Sequence, residues 1–145
     1  MEDFEIINYF DDDYQEYWRN EINRGDWDGC QKLFEILNQN KFKEIYGENS
    51  KLYLVTDGES LICFCGFMEK NPVDENKNPW IGFVYTFSEY RGNGYMKELI
   101  DYIYNEENCS ELFVATEHNG LYEKFGFSFV EEKLVDSKNM RIYKK

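Results

Sequence analysis

Arg91-Gly92-Asn93-Gly94-Tyr95-Met96 brings together the residue types that hold an anion. An apolar, aromatic run from Trp80 to Phe87 precedes this segment. Met96, Leu99, Ile100 and Ile103 follow at helical spacing. A strand, a glycine turn and a helix start therefore succeed one another. Such a turn leaves several backbone N–H groups without intrahelical partners, and the helix dipole reinforces them, so a phosphate can bind there. Glycines at 92 and 94 permit the tight turn and close approach of a ligand. Arg91 adds a guanidinium that can pair with a phosphate oxygen.

Taken alone, the turn has other readings. Asn93-Gly94 also suits a hairpin. The common nucleotide loops do not fit, because the segment has neither Gly-Lys-Ser/Thr nor Gly-x-Gly-x-x-Gly. A second segment lies about thirty residues downstream: Gly120-Leu121-Tyr122-Glu123-Lys124-Phe125-Gly126-Phe127, after the β-rich run Leu112-Phe113-Val114-Ala115-Thr116.

In this order and at this spacing the two segments resemble the GNAT superfamily of acyl-CoA-dependent N-acyltransferases. The first is similar to the family's (Arg or Gln)-x-x-Gly-x-(Gly or Ala) motif, which cradles the CoA pyrophosphate. The second is similar to its Tyr-x-Lys-x-Gly-Phe segment, which sets a tyrosine beside the thioester sulfur. The resemblance covers most of the chain, best from Lys51 to Lys145. It implies a single α/β domain over residues 1–145, with a mixed, mostly antiparallel twisted sheet flanked by about four helices. It implies acetyl-CoA as cosubstrate, with Arg91, Gly92, Asn93, Gly94, Tyr95 and Met96 at the pyrophosphate. Backbone groups of Val84, Tyr85 and Thr86 are expected at the pantetheine and thioester carbonyl, and Tyr122 as general acid toward the departing thiolate. A phenol of pKa near 10 stays protonated at neutral pH and can protonate a thiolate of similar basicity.

Departures from the pattern leave questions open. Met96 occupies the last Gly/Ala position, and Asn119 stands only three residues before Tyr122. Some members carry a glutamate on the strand before the glycine turn, whereas Trp80 to Phe87 contains no acid. Glu69, Asp74, Glu117, His118 and a relayed water all remain available as the general base. The expected activity is acetyl transfer to a primary amine of a small molecule or peptide. The alternative is a CoA-binding regulatory module that keeps the fold without turnover, and a scaffold that binds no phosphate is a third reading.

The elements that must position these residues follow from periodicity. Phe4 to Phe10 reads as a strand. Asp11-Asp12-Asp13 supplies a cap for a helix carrying Tyr14, Tyr17 and Trp18. Gly25 ends that helix, and a second begins near Asp28 with Cys30, Leu33, Phe34 and Leu37 on one face. Tyr14, Trp18, Leu33 and Phe34 are expected in the core by their spacing. Leu52 to Val55 and Leu61 to Cys65 flank Asp57-Gly58, a hairpin signal, and the second strand is apolar on both faces and so central. Residues 69 to 79 form a polar loop. Gly120 to Phe125 gives a short helix, then Phe127 to Val130 and Met140 to Tyr143 close an antiparallel pair.

Composition narrows the partners. A net charge of −13 argues against nucleic acid, whose phosphates need a basic face, and against anionic membranes. The same charge, with Tyr14, Tyr17, Trp18 and Trp27 near the first two helices, suits a cationic acceptor. The chain opens Met1-Glu2-Asp3, opposite in charge to a secretory leader, and cytoplasmic residence is expected. Cys30, Cys63, Cys65 and Cys109 show no compact disulfide framework. They read as buried small hydrophobes rather than as metal ligands. Oligomeric state is not legible.

Overall fold

A computed structural model describes residues 3–145; the acidic opening Met1-Glu2 lies outside them. Seven strands form one sheet: β1 Glu5–Asn8, β2 Lys51–Thr56, β3 Leu61–Met68, β4 Trp80–Thr86, β5 Phe113–Thr116, β6 Ser128–Val135 and β7 Lys138–Lys144. Their spatial order is β1-β2-β3-β4-β5-β7-β6, and only the β4–β5 pair is parallel. Four α-helices accompany them: α1 Gln15–Asn23, α2 Asp28–Asn38, α3 Phe42–Tyr46 and α4 Tyr95–Glu106. This is the α/β, mostly antiparallel architecture expected.

The sheet is the middle layer of three. Every residue of β3 is buried, because successive side chains point to opposite faces and both faces are covered. Leu52, Leu54, Phe64 and Trp80 pack with Trp18, Ile22, Leu33 and Phe42 on the side of the first helices. Tyr53, Val55, Cys63, Cys65 and Ile81 pack with Leu99, Ile100 and Ile103 of α4 on the other. Cys30, Cys63 and Cys65 are buried as expected and Cys109 is half-buried; desolvation pushes the Cys30 thiol up to about 11 and that of Cys63 up to about 12.

Several boundaries differ from the periodicity. The first strand stops at Asn8, whose side-chain oxygen accepts from Phe10 N and turns residues 9–11 into a 3-10 turn. Asp12 does not cap α1 itself; it accepts from Tyr14 N at 2.9 Å and from Trp18 Nε1 at 3.0 Å, and Tyr14 occupies the N-cap position. That geometry leaves Tyr14 70% exposed, which corrects its assignment to the core, while Trp18 and Leu33 are buried and Phe34 is half-buried. Helix α3 carries too few residues to show a period. The closing strands run well past the apolar runs: β6 lies at the sheet edge, where Phe129, Val130 and Leu134 are exposed and Glu131 and Lys133 are half-buried.

The loop before β4 is fastened by charge. Asp74, 6% exposed, accepts from Lys77 at 2.7 Å and pairs with Lys133 of β6 at 3.0 Å, and Lys77 also meets Glu131 at 3.1 Å. The Lys77 hydrogen bond, then that of Lys133, holds the Asp74 carboxyl far below the usual carboxylate range. A depressed native pKa adds stability that is complete above the unfolded value near 3.9 and is lost as pH falls toward the native one. Asp74→Asn should therefore lower the urea midpoint at pH 7. It should also flatten the decline in stability below about pH 4 relative to the parent. Parallel pH profiles for the two proteins would show that Asp74 adds no pH-linked stability.

Candidate active site

Strands β4 and β5 are paired only at Trp80–Phe113 and Ile81–Val114. Beyond these two steps they separate. In β4 a bulge accompanies the parting: Phe64 faces Tyr85 and Gly66 faces Gly82, so Phe83 and Val84 together stand opposite Cys65. Phe83 has φ +53, a left-handed conformation that a bulky side chain rarely takes. Such a bulge frees one residue's backbone groups from the ladder and re-aims them.

Two adjoining cavities occupy the opening. One, about 480 Å³, is lined by Val84, Tyr85, Thr86, Tyr90, Arg91, Gly92, Gly94, Tyr95, Met96, Lys97, Leu121, Lys124 and Phe125. The other, about 460 Å³, is bounded by Asp26, Trp27, the Gly82–Tyr85 stretch, Val114 to His118, Tyr122 and Met140. Val84, Tyr85, Arg91 and Leu121 border both.

The turn sits at the mouth of the first cavity. Gly92 and Gly94 adopt φ +81 and +80, and a Cβ at either would meet nothing within 4 Å, so conformation rather than crowding calls for glycine. Glu98 N is the first helical donor of α4, to Gly94 O. Among the described residues, the N–H groups of residues 92–97 find no acceptor. Six free donors beside Arg91, Lys97 and Lys124 make an anion cradle. Asn93 turns its amide back onto the carbonyls of Tyr90 and Arg91 and does not line the cavity. Met96 is 8% exposed and packs with Leu99 and Ile100, so its bulk lies mainly in the core.

Tyr122 stands in a 3-10 turn, Tyr122–Phe125, that ends at Gly126 in the left-handed conformation. Its ring packs against Phe125, Phe127 and Tyr143, and burial raises the phenol above its ordinary value. Every buried side-chain nitrogen or oxygen among the described residues has a partner, yet the Tyr122 hydroxyl has none. The oxygen must therefore reach an accessible surface, and the cavity that Tyr122 lines is the second one.

Of the acids and the histidine open as bases, Glu117 and His118 line the second cavity. Glu69 is elsewhere, accepting from Asn49 N at 2.5 Å, and Asp74 is engaged by its two lysines. Sequence reasoning missed Asp26, which accepts from the Tyr85 hydroxyl at 2.5 Å and from Arg91 Nη2 at 3.3 Å. It also missed Phe83 and Lys97, and gave no role to Lys124 of the second segment. The two lysines were available as cations beside the motifs; a left-handed Phe83 has no sequence signal at all.

The sequence profile of the Acetyltransferase (GNAT) domain matches residues 48–129, more than half of the chain. The chain belongs to the GNAT acetyltransferase family. No curated protein matches it in sequence. Among solved structures it is similar to an aminoglycoside 6'-acetyltransferase type Ii, with 14% identity, TM-score 0.71 and coverage of 97% of this chain and 96% of that one. It is similar to a spermidine N-acetyltransferase from Vibrio cholerae, with 14% identity, TM-score 0.63 and coverage of 100% and 94%. It is also similar to an acetyltransferase from Bacillus anthracis in complex with acetyl coenzyme A, with 19% identity, TM-score 0.55 and coverage of 69% and 66%. At such identities the likeness is one of fold. Acetyl-CoA is the acetyl donor of the family, and the free donors and cations of the turn suit its anionic pyrophosphate.

Gly94→Val tests that fit. A β-branched residue at φ +80 is strained whatever the space, and its side chain would enter the cradle. Losing one charge-assisted hydrogen bond, worth about 1.5–3 kcal/mol, weakens CoA binding about tenfold or more. The far-ultraviolet circular dichroism should remain that of the parent. A folded variant with parental CoA affinity, measured calorimetrically, would remove the pyrophosphate from this turn.

Proposed function

We propose that the protein transfers the acetyl group of acetyl-CoA to a primary amine, of a small molecule or a peptide, by direct attack on the thioester. The observation that carries this reading is the continuity of the two cavities: a turn of free N–H groups leads into a cleft where Tyr122 stands. Pyrophosphate on residues 91–96 would lay the pantetheine arm along Val84, Tyr85 and Thr86 and bring the thioester to the β4 bulge. A backbone N–H released there can polarise the carbonyl as negative charge develops on oxygen. The amine nitrogen bonds to the carbonyl carbon, the C–S bond breaks, and the thiolate takes the Tyr122 proton. The attacking nitrogen gives up its own proton to water or to Glu117 or His118 in the cleft. Phenol and base then return to their starting states through solvent.

The acceptor side is acidic and aromatic. Asp26, Glu117 and the Trp27 ring border the second cavity, and the chain carries −13 overall, so a cationic amine is the acceptor class this surface favours. No helix among the described residues is long and apolar enough to cross a membrane. Cytoplasmic residence and a single catalytic domain over residues 1–145 belong to the same proposal.

An acetyl-CoA assay over primary amines, read by release of free thiol, tests the reaction. CoA binding without turnover across a broad panel would favour a regulatory module. For Tyr122→Phe, kcat should fall by about 10²–10⁴, the usual value of general acid catalysis, with acetyl-CoA affinity unchanged because the ring remains packed. A fully active variant would make the tyrosine structural. The acceptor's KM should rise with salt, since the screening length contracts from about 10 Å at 0.1 M to about 3 Å at 1 M. A neutral or acidic best acceptor would overturn the cationic class.

A further inference from the structure

The segment between α1 and α2 delivers one carboxylate, Asp26, to the second cavity, against Tyr85 and Arg91, which border both. Tyr85 Oη donates to Asp26 Oδ1 at 2.5 Å, and Asp26 N donates back to Tyr85 Oη at 3.0 Å. Arg91 Nη2 reaches the same Oδ1 at 3.3 Å, its Nε donates to Thr86 O at 2.8 Å, and its guanidinium lies 5.4 Å from the Tyr85 ring centre. Both side-chain partners use Oδ1. Among the described residues Oδ2 has no partner, and the Asp26 side chain is 67% exposed. Trp27 stacks on Tyr85 with centroids 6.0 Å apart and planes at 11°, adding an aromatic face beside the free oxygen.

Arg91 faces two claims. It is the first residue of the pyrophosphate turn, and it is also the counter-ion of Asp26. One guanidinium cannot neutralise a carboxylate and serve an incoming diphosphate equally. While Arg91 holds Asp26, a cation approaching that carboxylate meets a positive charge beside it. Once a diphosphate engages Arg91, the guanidinium's field is cancelled and the Asp26 carboxylate regains its attraction for cations.

We infer that Asp26 is the anchor for a cationic group of the acceptor, held in reserve by Arg91 until the CoA pyrophosphate takes that guanidinium. The inference rests on the reading of residues 91–96 as the pyrophosphate seat. The Tyr85 hydroxyl, with Arg91 adding to it, keeps Asp26 below the usual carboxylate range, so it is a poor base and a durable anion. Its partner is thus an ammonium that stays charged rather than the nitrogen that attacks. The acceptor class that follows carries two amines: one anchored at Asp26, the other free to reach the thioester. Trp27 and Tyr85 offer faces for the methylene chain between them.

Binding linkage tests the exchange without knowledge of the natural acceptor. CoA affinity is measured by calorimetry for the parent, Asp26→Asn, Arg91→Gln and Glu89→Gln, the last removing a nearby acid without touching Arg91. Releasing Arg91 should tighten CoA binding in Asp26→Asn by about two- to fivefold, the range of an exposed ion pair. Glu89→Gln should change it less. Trp27 fluorescence then follows 1,4-diaminobutane, with 1,4-butanediol as the uncharged counterpart. The diamine should bind the parent several-fold tighter when CoA is saturating, and reciprocity requires the same factor for CoA in the presence of diamine. Asp26→Asn should lose diamine binding, and Arg91→Gln should lose the coupling. Failure of CoA to bind the parent would refute the pyrophosphate reading. CoA binding that is the same in Asp26→Asn, with diamine binding indifferent to CoA, would leave that reading standing and overturn the exchange.

Discussion

The parting of β4 from β5 is the constraint on which the rest of the molecule turns. Two pairs of residues hold the strands together, with Trp80 fully buried and its ring 5.6 Å from that of Phe113. Past Ile81 and Val114 no ladder joins the two facing edges, although β4 stays paired with β3 and β5 with β7. A buried opening of this kind is costly unless water or a ligand supplies the missing hydrogen bonds. The bulge at Phe83 belongs with the opening. A residue in the left-handed region persists only where its surroundings over-determine it, and here Phe42 and Tyr46 hold the Phe83 ring at 6.5 and 6.0 Å.

The charge distribution follows the same division. In a chain of 29 acids and 16 basic residues, the cavity under the glycine turn is lined by Arg91, Lys97 and Lys124 with no acid. Across Tyr85, Asp26 and Glu117 border the neighbouring cavity. An acidic protein thus gathers cations around the glycine turn, while the neighbouring cavity carries acids of its own beside the shared Arg91. Net charge alone describes neither, because field at a few ångströms is set by the nearest groups, and distant ones are screened.

Much of this was legible in the sequence. The turn at 91–96 announced itself because glycine spacing, an apolar strand and a helical period adjoin there, and each is a local property. The β2–β3 hairpin and α2 were legible for the same reason. What escaped depends on distant contacts. Helix α3 is five residues long and is shaped by Phe42 and Tyr46 packing on Phe10 and Phe83. Tyr14 has helical spacing but sits at the N-cap, outside the stripe that faces the sheet. Asp26 was one acid among many until Tyr85, 59 residues away, closed on it.

Packing fixes the Tyr122 ring at the second cavity, and burial raises its phenol. In the transfer proposed, the burial that lifts its phenol would also disfavour a thiolate formed beside it. Raising only the phenol would have made a poorer acid. Two other buried tyrosines spend their hydroxyl hydrogen internally, Tyr53 on Glu107 and Tyr85 on Asp26, whereas Tyr9 and Tyr143 accept from Arg19 and Arg141. The Tyr53 and Tyr85 phenols are raised by burial first and then by the carboxylate they serve, which ties the proton down. Tyr122 carries no such partner among the described residues, and its ring is fixed by three aromatic neighbours. A held ring with an uncommitted hydroxyl at the end of a cleft is the arrangement a proton donor needs, because orientation is set in advance and no internal hydrogen bond has to break.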